Sequence, residues 1–121
     1  MTTQEVAQTL VDLCTQGKFK DAIQSLYSDN IVSVEAFAMP GHSREVSGLQ
    51  AVIGKADWWE AEHEVHSLKV EGPLVAGSHF CVRFTIDVTG KSTGQRMTMD
   101  EPGVYQVADG KIIREEFFYS M

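Results

Sequence analysis

The sequence predicts an α+β domain, with a strongly curved antiparallel sheet wrapped around three helices from the N-terminal half and a pocket left between them. Three observations carry this. Helical periodicity is confined to the stretch before residue 64, period-two alternation dominates after it, and Asp109-Gly110 sits between two strand-forming runs near the end. An Asp-Gly loop places both central residues at φ > 0, which matches the twist of paired strands, so Gly103–Val107 and Ile112–Tyr119 should form a hairpin.

Thr2 and Glu5 have the spacing of a capping box, opening a helix through about Gln16, and Gly17 stands where a left-handed residue ends it. Val6, Leu10 and Leu13 form its apolar stripe, widened by Ala7, Val11 and Cys14. A second helix is expected from Lys18 to Ser28, because Phe19, Ala22, Ile23, Leu26 and Tyr27 recur at helical spacing. Asp29-Asn30 reads as a turn, followed by a strand over 31–37. Residues 38–47, including Pro40-Gly41, read as a loop. Ser47 and Gln50 suggest a second capping box, starting a third helix that ends near His63. Its inward stripe is Leu49, Val52, Ile53, Ala56, Trp59 and His63. Val65–Ala76 reads as a strand broken or bulged near Gly72-Pro73. Gly77-Ser78 turns the chain into the alternating strand His79–Thr89, with Phe80, Val82, Phe84, Ile86 and Val88 on one side. A polar loop over 90–94 leads to the final hairpin. No internal repeat or linker interrupts this order, so residues 1–121 are read as a single domain.

The formal net charge is −7, from 17 acidic and 10 basic side chains. That sign opposes binding to a phosphate backbone or an anionic membrane surface, so neither nucleic acid nor membrane is an expected partner. Nothing at the N-terminus resembles a targeting segment, which suggests a cytoplasmic protein. Cys14 and Cys81 lie in apolar patterns and read as buried, reduced thiols. His63 and His66 in HEVH are three apart rather than four and lack a third ligand, so no metal and no cofactor are expected.

Alternation puts Met97, Met99, Glu101, Gly103, Tyr105 and Val107 on one face of the penultimate strand. Across an unbulged turn, Tyr105 would face Arg114 and Gly103 would face Glu116. An apolar surface with a few ionisable groups in mutual reach is the chemistry of a small-molecule pocket. Glu101 and Arg114 read either as a structural ion pair or as a substrate clamp. Glu116 faces the pocket only without a bulge; with one, Glu115 takes its place, because a slip of one residue exchanges the faces. Glu35 is either a general base in the pocket or a carboxylate at an exposed strand end. Trp59 and His63, four apart on one helical face, either contact ligand and shuttle a proton or pack as core with a helix-end histidine. Arg83 lines the pocket or makes a surface or interface pair. Ile113, Phe117 and Tyr119 make the second face of the last strand apolar as well, so a homodimer through the sheet is expected.

The strings LYSDNIVSVEA after a helix pair, SGLQAVIG opening the third helix and VYQVADGKIIREEFFY at the end span nearly the whole chain. Their order resembles the nuclear transport factor two-like superfamily, which includes ketosteroid isomerase and the SnoaL-like polyketide cyclases. The resemblance implies a cone-shaped α+β barrel with helices closing an internal pocket, usually dimeric. It does not by itself imply one reaction. The catalytic aspartate of ketosteroid isomerase falls on Glu35, but its two oxyanion donors fall on Leu10 and Gly103, which argues against steroid isomerisation by that mechanism. Arg114 with Glu101 and Glu116 has the residue types of the limonene epoxide hydrolases but not their places. The expected function is binding of a small hydrophobic or aromatic ligand. If catalytic, it is cofactor-free isomerisation, cyclisation or dehydration by Glu35, Glu101 and His63, with Trp59, Tyr105, Met99, Arg114, Glu116 and Arg83 contacting the ligand. The alternative is a non-catalytic ligand-binding or dimerisation module of the same fold.

Overall fold

In the computed structural model, which describes residues 1–38 and 41–120, three helices lie against one six-stranded sheet. The helices are α1 (Thr3–Thr15), α2 (Phe19–Leu26) and α3 (Leu49–Glu62). The strands are β1 (Tyr27–Val34), β2 (Glu45–Ser47), β3 (His63–Ala76), β4 (His79–Gly90), β5 (Arg96–Ala108) and β6 (Lys111–Phe117). The sheet order is β2-β1-β6-β5-β4-β3, with β1 and β6 parallel and every other pair antiparallel. The sheet is therefore mixed and curved, and it does not close, because β2 and β3 remain edges.

Local chemistry explains the first helix. The Thr2 hydroxyl accepts from the Glu5 amide at 3.1 Å and the Glu5 carboxylate accepts from the Thr2 amide at 2.9 Å, satisfying two donors that an open helix end leaves unpaired. The stripe Val6, Ala7, Leu10, Val11 and Cys14 is buried, and Gly17 ends the element at φ 75°. These side chains meet Phe80, Val82, Phe84, Ile86 and Val88 of β4 in one core. Burial of this apolar surface is the main stabilising term, at roughly 25 cal/mol per Å².

Four features differ from the sequence reading. Helix α2 stops at Leu26, and Tyr27 begins β1. The expected Asp29-Asn30 turn is instead an irregular stretch of β1, where the register against β6 shifts between Tyr27 and Val32. The segment expected as a loop over 38–47 contains β2, which pairs Val46 with Ser33; Pro40 of that segment lies outside the described residues. Ser47 belongs to β2 and does not cap α3. The cap position is Gly48, at φ 95°, with no side-chain hydrogen bond, and its amide donates to the Ile31 carbonyl at 2.8 Å.

The last hairpin turns through Asp109 and Gly110 at φ 53° and 75°, as its dipeptide requires. Val107 faces Ile112, as alternation from the turn predicts. Beyond that pair the register shifts, because Ile113 is an extra residue with no partner on β5. Gln106 then faces Arg114, Tyr105 faces Glu115 and Val104 faces Glu116. The bulge exchanges the faces of β6, so Glu115 points inward and Arg114 and Glu116 point outward. This corrects the unbulged pairing of Tyr105 with Arg114 and of Gly103 with Glu116. Gly103 instead faces Phe117, and it leaves room for two rings: a Cβ there would lie 3.0 Å from Tyr105 Cε2 and 3.1 Å from Phe117 Cε1.

Candidate functional site

The concave side of the sheet carries one polar cluster among its apolar residues. Strand alternation turns Ser33 inward on β1, and Glu35 lies just past the end of that strand. Glu101 and Tyr105 come from β5, and Glu115 and Phe117 from β6. Helix α3 adds Lys55, three residues after the buried Val52 and four before Trp59, on its inward stripe.

Glu115 is 3% exposed. Burial of a carboxylate without partners is strongly unfavourable, and here two hydroxyls supply them. The Tyr27 hydroxyl donates to Oε1 of Glu115, and the Ser33 hydroxyl donates to Oε2 at 2.7 Å. Ser33 Oγ in turn accepts from Lys55 Nζ at 2.5 Å. Lys55 Nζ also lies 3.4 Å from Glu35 Oε1 and 5.9 Å from the centroid of the Phe117 ring. One chain of hydrogen bonds thus runs from the buried Glu115 through Ser33 to Lys55, and an ion pair continues it to Glu35; the Lys55 and Glu35 side chains are about a quarter exposed.

Glu101 stands beside this chain, and its carboxylate makes no hydrogen bond or ion pair with any other described residue. Its carboxyl is pushed up to about 7, first by burial, then by the negative charge of Glu35; the Lys55 ammonium pulls it back in part. Burial likewise raises Glu115, against the pull of its two hydroxyl donors. Tyr27 and Tyr105 are raised well above the usual phenol value by burial and the Glu115 charge, so both keep their protons near neutrality. Tyr119, which packs on Phe37 at 5.9 Å, is pushed up to about 12. Burial and the neighbouring Glu35 charge thus disfavour ionisation of Glu101, whose carboxyl exchanges its proton near neutral pH. Such a group can take a proton from a neighbour and return it, with Phe117 as an apolar wall.

The structure brings together some of the residues singled out in the sequence and separates others. Glu35, Glu101 and Tyr105 share the concave side, and Met99 lies on the same face, half-buried against the core. Tyr105 is 2% exposed and stacks on Phe80 at 4.8 Å, so it supports the cluster from below. His63 does not join the carboxylates. It stacks on Trp59 at 4.5 Å, and its Nδ1 lies 2.8 Å from the Trp59 carbonyl oxygen. It also sits eight residues beyond Lys55, about 12 Å further along the helix axis. Trp59 packs half-buried against the core.

Arg114 and Glu116 lie on the convex side, 3.0 Å apart, beside a depression of about 150 Å³ lined also by His79, Val104, Gln106 and Phe118. Arg83 is convex too, in a two-pronged pair with Asp100 at 2.9 and 2.7 Å that holds the Asp100 carboxyl below its ordinary value. No Glu101–Arg114 pair forms. Cys14 is buried and Cys81 half-buried on the convex side; both are free thiols. No described helix is long and apolar enough to cross a membrane.

Sequence reasoning missed Tyr27, Ser33 and Lys55. For Ser33 a signal was present, since alternation puts it on the face of Ile31 and Glu35. For Lys55 the i+3 and i+4 spacing to Val52 and Trp59 was available, but lysine is ordinarily a solvent residue.

Comparison with known proteins agrees with this architecture. A crystal structure from Mesorhizobium loti, described as a SnoaL-like polyketide cyclase and also as a carbohydrate phosphatase, superposes with a TM-score of 0.94 at 44% identity, covering 98% of this chain and 100% of that one. A protein with a ketosteroid isomerase-like fold from Catenulispora acidiphila, solved with trimethylamine, gives 0.75 at 16% identity, covering 100% of this chain and 88% of that one. A protein from Pseudomonas putida described as a polyketide cyclase gives 0.73 at 14% identity, covering 100% and 93%. No curated protein matches by sequence. The sequence profile of the SnoaL-like domain matches residues 1–119, and the chain belongs to that family.

Proposed function

We propose that the concave cluster is an acid–base site acting on a small, largely apolar organic molecule by cofactor-free proton transfer, as in isomerisation, cyclisation or dehydration. The observation that carries this reading is Glu101: a carboxyl with no described hydrogen-bond partner, raised to about 7, beside an ammonium and an aromatic wall. A base is most effective when its pKa lies near the working pH. Glu101 abstracts and returns the proton, while Glu35 and Lys55 set the local charge. The polyketide cyclase description of the 44% identical relative agrees with this class of chemistry. His63, Arg83, Arg114 and Glu116 have no part in it, because they lie elsewhere.

The convex side, where Leu74 and Phe118 are exposed, is the face we assign to a homodimer. The free thiols are in keeping with a cytoplasmic location.

Titration of ¹³C-labelled glutamate side chains by NMR tests the reading. A resonance with a midpoint near 7 that disappears in Glu101→Gln is expected. If every glutamate titrates in the ordinary carboxylate range, the base is lost and a non-catalytic binding or dimerisation module is left.

A further inference from the structure

The Lys55 ammonium has three N–H donors; one goes to Ser33 Oγ in a 2.5 Å hydrogen bond, while Glu35 Oε1, 3.4 Å away, balances the charge as an ion pair. The other two donors have no hydrogen-bond acceptor among the described residues. Lys55 is also held in place. Ser33, which takes one of its protons, is fully buried and donates its own proton to Glu115, whose second oxygen is closed by Tyr27. A flexible lysine would ordinarily sample many rotamers in water; here its head group is the end of a buried chain anchored on β1 and β6.

Resting on the acid–base reading above, we propose that Lys55 is the catalytic electrophile of this site, donating a free N–H to a substrate carbonyl oxygen, and that Ser33 and Glu115 are positioning residues acting through it. The step balances within the site. Glu101 takes the proton from a carbon next to the carbonyl, the C–H pair moves into a C=C bond, and the carbonyl π pair moves onto oxygen. The resulting enolate oxygen accepts from Lys55, and the Glu101 proton returns to carbon or assists departure of a leaving group. Charge on the oxygen appears only as the proton leaves, so the contact with Lys55 strengthens in the transition state.

The same charges select the substrate. A ligand that is already an anion would enter against Glu35, Glu101 and Glu115, whereas a neutral carbonyl compound meets no such penalty. The groups facing Lys55 are Glu35, Ser33, Glu101, Glu115 and Phe117. None of the tyrosines nearby is ionised near neutral pH.

The test uses 2-naphthol, a flat aromatic hydroxyl whose ionised form mimics an enolate, with 2-naphthoate as the anionic control. Absorbance of the bound probe reports its ionisation against pH. Wild-type protein should bind 2-naphthol and lower its apparent pKa by about 1–3 units, the range for a cation within a few ångströms. Lys55→Met should bind it with that shift abolished. Ser33→Ala and Glu115→Gln should retain binding but lose about tenfold in ionised fraction, which a purely structural role would not change. 2-Naphthoate should bind at least about tenfold more weakly.

An unshifted probe in wild type, or a full shift in Lys55→Met, overturns the proposal; naphthoate binding as tight as naphthol overturns its neutral-carbonyl part. Absence of any binding overturns the pocket reading and this inference with it. Should Lys55→Met fail to fold, the ¹⁵Nζ resonance of Lys55 in wild type decides: it moves on naphthol binding if the contact exists, and stays still if it does not.

Discussion

Glu101→Gln should stabilise the folded chain, and only above a definite pH. The carboxyl sits at about 7 in the fold, against an ordinary value of 4.5. Below pH 4.5 it is protonated whether the chain is folded or not, so ionisation costs folding nothing. As the pH rises from 4.5 to 7 the unfolded chain releases the proton while the folded chain retains it. Stability present at low pH is therefore lost as the pH climbs, and the loss is complete just above 7. The gap, at roughly 1.4 kcal/mol per pH unit, amounts to about 3 kcal/mol. Gln resembles the protonated acid in shape and cannot ionise. Urea unfolding of both proteins from pH 4 to pH 8.5 should show near-equal stability at the acid end, and the variant about 3 kcal/mol ahead at the alkaline end. Wild-type stability alone would not isolate the effect. Glu115 is shifted the same way by burial, while Asp87 and Asp100 are lowered by Arg96 and Arg83. The difference between variant and wild type removes those shared contributions. A difference that stays flat with pH would refute the claim that Glu101 is desolvated.

Two further substitutions probe the support beneath the site. Tyr27→Phe removes one of the two hydroxyls on the buried Glu115 and should cost about 1.5–3 kcal/mol in urea unfolding; an unchanged denaturation midpoint would show that the carboxyl does not depend on it. Gly103→Ala adds a methyl 3.0 Å from the Tyr105 ring and 3.1 Å from the Phe117 ring, and overpacking of this kind costs about 1–3 kcal/mol. Part of that is offset by the stiffer unfolded chain, so a net loss of about 1 kcal/mol is expected, with the Phe117 ring displaced from Lys55 in the crystal structure of the variant.

Some of this molecule follows from short-range chemistry alone. Thr2 and Glu5 cap α1 because the two groups satisfy each other within four residues. Asp109-Gly110 turns the last hairpin because those residues tolerate φ > 0. The alternation from Phe80 to Val88 fixes which side of β4 meets the helices. The side of β5 that Glu101 takes was legible for the same reason, as a parity count along the strand, whereas Glu35, just past the end of β1, stayed open between the pocket and an exposed strand end.

The identity of the buried third carboxylate was not legible. Glu115 and Glu116 are adjacent and chemically equivalent, and a single extra residue at Ile113 decides between them. That bulge is favoured because Tyr27 and Ser33, 88 and 82 residues away along the chain, stand ready to satisfy a carboxylate at one position. The end of α2 at Leu26 has a similar cause, since Tyr27 fits the helical stripe but serves β1. Lys55 turns inward because Ser33 there accepts a hydrogen bond from it and Glu35 balances its charge. A sequence fixes periodicity and turn geometry through neighbours; which polar groups can be buried depends on partners that only the folded chain brings within hydrogen-bonding reach.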